Sequence, residues 1–155
     1  MTANTIMKYF KYWPPFLSSG ISVKDFDLDK GYVVSQMKIS KWNANVFGTM
    51  YGGSLYSMCD PFYVFILSHN LGRGYYIWDV ESNIKFLKAT KQPVTARFEI
   101  SHRELANIKL KADAGEKVTP IFTTQIIDSD DQVIAEVKKT LYIKAKKKSK
   151  NSPEH

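Results

Sequence analysis

The 155-residue chain has one cysteine and three histidines, and these shortages remove whole classes of chemistry. A lone Cys59 permits neither an intrachain disulfide framework nor a cysteine-rich metal site. His69, His102 and His155 are scattered without ligand spacing, so metal-assisted hydrolysis is disfavoured and neither a metal nor a redox cofactor is expected. Gly72-Arg73-Gly74 lacks the strand, glycine and lysine context of a phosphate-binding loop and reads as a turn. Long uncharged apolar runs are missing too, because Asp60 and Pro61 split the one candidate for a bilayer span. Lys8 and Lys11 interrupt the apolar residues near the N-terminus, which shows no signal-peptide core or small-residue cleavage site. A soluble cytoplasmic protein of a single domain is the expectation. The net charge of +7 favours anionic partners, but much of it sits in the lysine-rich tail, residues 145–155, read as solvated and disordered. No basic and aromatic module is recognisable, so a nucleic-acid partner is not expected.

What is present is concentrated in residues 45–70, where the pair Gly52-Gly53 opens a long apolar segment carrying one acid, Asp60. Nearly every face of residues 52–68 carries an apolar side chain, and a helix of that kind belongs inside a protein. Asn70-Leu71-Gly72 supplies its C-terminal stop. Pro61 has no N–H to offer the carbonyl of Ser57, so a kink is predicted beside Asp60. A lone buried acid at an irregular backbone is read either as functional or as a polar group satisfied by its neighbours. Cys59 is read as a small buried hydrophobe, with a nucleophilic thiol as the alternative.

Around this helix the patterns are mostly of period two. Residues 4–12 suit a short amphipathic helix stopped by Pro14-Pro15, so that residues 1–18 brace the domain, 1–144. Strands are predicted at 21–27 and 32–40, at 78–86, from Val94 to Ile100, and at 118–128 and 133–144, the last two joined by a turn at 129–132. Trp78, Val80, Ser82, Ile84 and Phe86 are predicted to share the buried face of their strand, with Asp79 on the other. Residues 104–114, with Leu105, Ile108 and Leu110, suit a short helix or an irregular excursion. The sum is an α+β fold in which a curved antiparallel sheet wraps one long central helix.

Residues 45–60, with Asn45 ahead of Tyr51-Gly52-Gly53 and Asp60 about two helical turns later, resemble the signature of hotdog-fold thioesterases of the PaaI-like branch. The segment 83–89, ending Phe86-Leu87-Lys88-Ala89, is similar to a strand pattern of the same family. Tyr51 stands where many relatives have histidine, Lys88 stands for the usual arginine, and Thr90 follows Ala89 without a proline. The resemblance implies the hotdog fold and hydrolysis of an acyl-CoA or related thioester. It implies Asp60 as general base or nucleophile, Gly52 as a backbone oxyanion donor and Asn45 as a positioner of water or carbonyl. A thioester needs such an attacking oxygen and a donor aimed at the developing oxyanion.

Eight helical steps from Gly52 to Asp60 span roughly 12 Å, too far for one thioester carbonyl to touch both. If both roles hold, Gly52 and Asn45 of one chain face Asp60 of another, which requires a homodimer, with a dimer of dimers as the next larger assembly. Tyr51, Gly53, Asp79, Ser82, Lys85 and Lys88 are further candidates for substrate contact, with Arg97 and Arg103 as additional phosphate partners. Met58, Phe62, Phe65 and Trp78 are candidate walls for the acyl chain. The alternative is a catalytically silent hotdog domain binding an acyl thioester or lipid-like ligand. A hotdog dehydratase is the third reading, and neither His69 nor His102 is well placed to serve it.

Overall fold

The computed structural model describes residues 3–147. Six strands form one antiparallel sheet in the order β1-β2-β4-β5-β6-β3: β1 (Ile21–Asp27), β2 (Tyr32–Met37), β3 (Tyr75–Phe86), β4 (Val94–Glu99), β5 (Ile121–Asp128) and β6 (Val133–Ala145). Its inner face packs on the central helical segment. That segment is two helices, α3 (Gly52–Ser57) and α4 (Phe62–Leu71), so the predicted kink is a full break at residues 58–61. Gly72, at φ 82, closes α4 with its N–H on the carbonyl of Ser68, in keeping with the predicted stop.

Both sides of α4 are covered. Phe62, Ile66 and Leu67 are fully buried. Phe62 packs on Phe98 of β4 on one side and on Phe10 and Phe16 on the other. Phe10 and Phe16 belong to the N-terminal brace, which is more structured than expected. Helix α1 (Ala3–Tyr9) passes through a 3-10 turn into α2 (Pro14–Ser19), so Pro14-Pro15 end the first helix and also open the second. Proline is favoured in a first turn, where its missing N–H is not needed. Asn43, 1% exposed, ties the end of the brace to the following loop by donating to the carbonyls of Ser19 and Lys38, both at 2.8 Å. Its Oδ1 accepts the N–H of Ser40, which ends β2 at Met37 rather than at residue 40.

Residues 102–113 are a regular helix, α5 (His102–Asp113), capped by Ser101, whose Oγ accepts the N–H of Glu104. Its buried stripe is Leu105, Ile108 and Ala112, and Leu110 is exposed. Strand β6 runs through Ala145, and Lys146 donates to the carbonyls of Gly74 and Arg73. The remainder of the expected basic tail, 148–155, lies outside the described residues. Among the described residues no helix is long and apolar enough to cross a membrane.

Strand β3 departs from its predicted facing. A bulge between Asp79 and Glu81 inserts Val80, so the residues facing the helices are Tyr75, Ile77 and Asp79 before it and Ser82 and Ile84 after it. Trp78 and Val80 are therefore exposed, and Trp78 stacks on Tyr142 on the outer face at 4.3 Å. Asp79, expected to face away, points inward.

Candidate active site

Breaking a helix inside a core strands backbone carbonyls that must find other donors. Ser57 regains a partner through a tighter turn, accepting the N–H of Asp60 at 3.2 Å. The sheet supplies two more donors. Ser35 Oγ on β2 donates to the carbonyl of Met58 at 2.9 Å, and Lys139 Nζ on β6 donates to the carbonyl of Asp60. Helix α4 then restarts with Pro61 at its N-cap and the N–H of Phe65 on the carbonyl of Pro61. Three carbonyls of the break, those of Ser57, Met58 and Asp60, are thus satisfied.

Asp60 is not the lone buried acid that the sequence suggested. Its side chain is 49% exposed, and Oδ1 accepts from Lys139 Nζ at 3.2 Å. The same ammonium donates to Asp79 Oδ2 at 2.9 Å, and the Lys139 side chain is 0% exposed. Ser82 is paired directly across from Lys139 between β3 and β6, so the bulge brings both Asp79 and Ser82 to this cluster. Burial pushes the Asp79 carboxyl above the usual carboxylate range, against the opposing pull of Lys139. Asp79 Oδ1 is buried without a hydrogen-bond partner among the described residues, which sharpens that cost.

Lys139 was not among the residues singled out from the sequence. Its signal was there: it occupies an inward phase of the series Ala135, Val137, Lys139, Leu141, Ile143, where an unpaired ammonium would be costly. A lysine in that phase calls for carboxylates on the facing elements, and Asp60 and Asp79 are those.

Asn45 and Gly52 lie elsewhere. Together with Phe86, Lys88 and Thr90 they line a cavity of about 310 Å³ that Asp60 does not reach. Asn45 is engaged in its own loop, with Oδ1 accepting from the N–H groups of Phe47 and Thr49 and Nδ2 donating to Thr49 Oγ1 at 2.9 Å. A methyl group on Gly52 would meet the Phe86 ring at 2.9 Å, and one on Gly53 would meet the Tyr51 ring at 2.3 Å. These two glycines let aromatic rings lie against the start of α3, whose first N–H groups have no intrahelical acceptor. Lys88 donates to Gln132 Oε1 at 3.3 Å. Lys85 is exposed on the outer face, across from Glu136. Arg97 pairs with Glu99 and lies over the Tyr32 ring, while Arg103 is exposed in the first turn of α5. One chain therefore carries two separate groups, Asn45, Gly52 and Lys88 in one and Asp60, Asp79, Ser82 and Lys139 in the other.

A second cavity, of about 430 Å³ and almost wholly apolar, adjoins the break and is walled by Phe10, Trp13, Pro61 and Phe65. Of the expected acyl walls only Phe65 lines it. Met58 and Phe62 are sealed in the core, and Trp78 faces outward. Burial pushes the Cys59 thiol far above its usual value, which keeps it protonated and unreactive. His69 is paired with Asp29 at 2.8 Å. Among the described residues no group of three or more His, Cys, Asp or Glu is arranged to hold a metal ion.

No curated protein matches the chain. Solved structures do. A protein of unknown function from Pseudomonas aeruginosa, described as a probable thioesterase, superposes with a TM-score of 0.83 at 16% identity over 92% of this chain and 96% of that one. A thioesterase from Haemophilus influenzae gives 0.70 at 15% identity over 97% and 96%. A hypothetical thioesterase from Streptococcus pneumoniae, solved with coenzyme A, gives 0.59 at 17% identity over 90% and 99%. At these identities the likeness establishes the fold, and the fold is the hotdog fold. Residues 3–143 match the family described as Domain of unknown function (DUF4442), and the chain belongs to that family.

Proposed function

We propose that this chain is a thioesterase that hydrolyses an acyl-CoA or a related acyl thioester, working as a homodimer with Asp60 as general base or nucleophile. The observation that carries this reading is the half-exposed Asp60 carboxylate, fixed at a helix break and adjoining an apolar cavity through Pro61. A carboxylate held in this way takes a proton from water, whose oxygen attacks the thioester carbonyl carbon, or attacks that carbon itself. In the first route the C–S bond breaks, the free acid forms and the proton held by Asp60 passes to the departing thiolate; in the second the C–S bond breaks to leave an acyl anhydride on Asp60, which water then hydrolyses to release the acid and restore the carboxylate.

The separation of the two groups of residues supports a shared site. Gly52 as oxyanion donor and Asn45 as positioner come from one subunit and Asp60 from the other, with Lys88 toward the phosphates of the carrier. Strand β3 supports the pairing. It is a 12-residue strand at one end of the sheet, with Tyr76, Trp78 and Val80 exposed, and a long apolar edge strand is an exposed liability unless a second copy covers it. The Streptococcus pneumoniae neighbour solved with coenzyme A supports the choice of carrier.

Two observations favour a second reading, a non-catalytic acyl-thioester or lipid-binding domain. The Tyr51 ring lies against Gly53, and the side-chain groups of Asn45 are used within its loop. Thiol release from short, medium, long and aromatic acyl-CoAs separates the two. Turnover of any member supports the thioesterase; retained binding with no turnover anywhere establishes the binding domain.

A further inference from the structure

The buried ammonium of Lys139 is the charge at this site that the thioesterase reading leaves unused. We propose that Lys139 is the positioning residue for Asp60: it clamps Oδ1 and the main-chain carbonyl at the helix break and leaves Oδ2 as the oxygen that accepts the proton from water. This rests on the thioesterase reading for its chemistry and on the geometry for its structure.

Three acceptors from two elements surround one ammonium with three donors: the Asp60 carbonyl, Asp60 Oδ1 at 3.2 Å and Asp79 Oδ2 at 2.9 Å. With all three directions used, the ammonium cannot rotate away, and Asp60 is held by its backbone and its side chain at once. Asp60 Oδ2 has no hydrogen-bond partner among the described residues, while the side chain is half exposed, so this oxygen faces water or substrate. Lys139 itself is too buried to touch either and acts only through Asp60. The other groups facing the cluster are uncharged: Ser82 across the strand pair, the Tyr56 ring 5.9 Å from Nζ, and the protonated thiol of Cys59. Two carboxylates therefore share one counter-charge. Removing it leaves like charges facing each other and makes protonation of the pair easier, which inactivates the base at a higher pH than before.

The test compares wild type with Lys139→Met and Lys139→Arg in pH–rate profiles of thiol release, alongside carbon-13 titration of the aspartate carboxyls. In Lys139→Met, kcat is expected to fall about 100-fold, as for a misplaced catalytic group, and the acid limb to move up by about one pH unit. Lys139→Arg restores the position of the limb. A merely structural lysine would lower the amount of folded enzyme without moving the limb. Where Lys139→Met fails to fold, Lys139→Met/Asp79→Asn removes one carboxylate with the cation and keeps the cluster at the same net charge. Its kcat is expected to stay low with KM unchanged. Wild-type kcat and limb position in any folded Lys139→Met variant overturn the proposal. Should the wild-type protein hydrolyse no thioester, the thioesterase reading falls. The carbon-13 signal of the Asp60 carboxyl then decides the clamp alone: a changed chemical shift in the variant supports it, and an unchanged one overturns it.

Discussion

Asp60→Asn separates chemistry from architecture, because the two losses differ in size. The amide keeps the shape of the side chain and an oxygen for Lys139 to meet, and removes only the charge. At 3.2 Å the gross attraction between unit charges is about 5 kcal/mol at an effective dielectric of about 20. Little of that is net stability, since the Asp60 side chain is 49% exposed and Lys139 keeps Asp79 at 2.9 Å. A loss of about 1 kcal/mol is expected, which for a chain of this length lowers Tm by roughly 2 to 4 °C. The loss of a positioned base costs about 10²- to 10⁴-fold in rate, or roughly 3 to 5 kcal/mol of barrier. On the same preparation, thiol release measures the loss of rate, thermal unfolding the loss of stability, and size-exclusion chromatography whether the variant remains a dimer. A folded dimeric variant with one-tenth or more of wild-type activity would refute Asp60 as base or nucleophile. A Tm drop beyond about 10 °C would make it a structural aspartate instead.

Gly31→Ala, in the turn between β1 and β2, is expected to cost about 3 kcal/mol, because φ is +77° and a Cβ would lie 2.4 Å from the Ile100 carbonyl oxygen. Urea unfolding reads this directly. Cys59 is expected to resist alkylation until the protein is denatured, and Cys59→Ser to retain thioesterase activity; rapid native labelling would contradict the sealed thiol. The raised Asp79 carboxyl gives a pH dependence of definite sign. Between its unfolded value of 3.8 and the higher folded value the native state holds more proton, so its contribution to stability falls as pH rises through that window. Asp79→Asn is expected to remove that slope, as seen in urea midpoints measured from pH 4 upward. Phe62→Ala, which empties a fully buried ring site between Phe10, Phe16 and Phe98, is expected to cost 3 to 5 kcal/mol, roughly.

Much of the fold was legible because it follows from local rules. Alternation placed the strands to within a few residues at most ends, the apolar run at 52–68 marked the central helical segment, and Pro61 marked where it fails. The break went further than the predicted kink for a reason that no window of sequence contains: Ser35 and Lys139, distant in the chain, supply donors to the freed carbonyls. The facing of β3 departs from the alternation in its first half because a bulge at Val80 changes the phase, and bulges leave little trace in a pattern of period two; Phe86, expected on the buried face, is exposed at the end of the strand. For residues 104–114 the pattern allows a short helix or an irregular excursion, and the cap from Ser101 to Glu104 together with the buried Leu105, Ile108 and Ala112 decides for the helix.

By itself, then, the sequence determined an α+β architecture with a sheet around a central helical segment and singled out Asp60, since periodicity, capping and proline chemistry act over a few residues, while the resemblance of residues 45–60 implied the hotdog fold. Only the tertiary structure decided what surrounds Asp60. A strand bulge turned Asp79 inward, and sheet order set β6 beside β3, so Lys139 met both acids. The pairing of buried charges is a property of elements folded together, with 79 residues separating Lys139 from Asp60 along the chain.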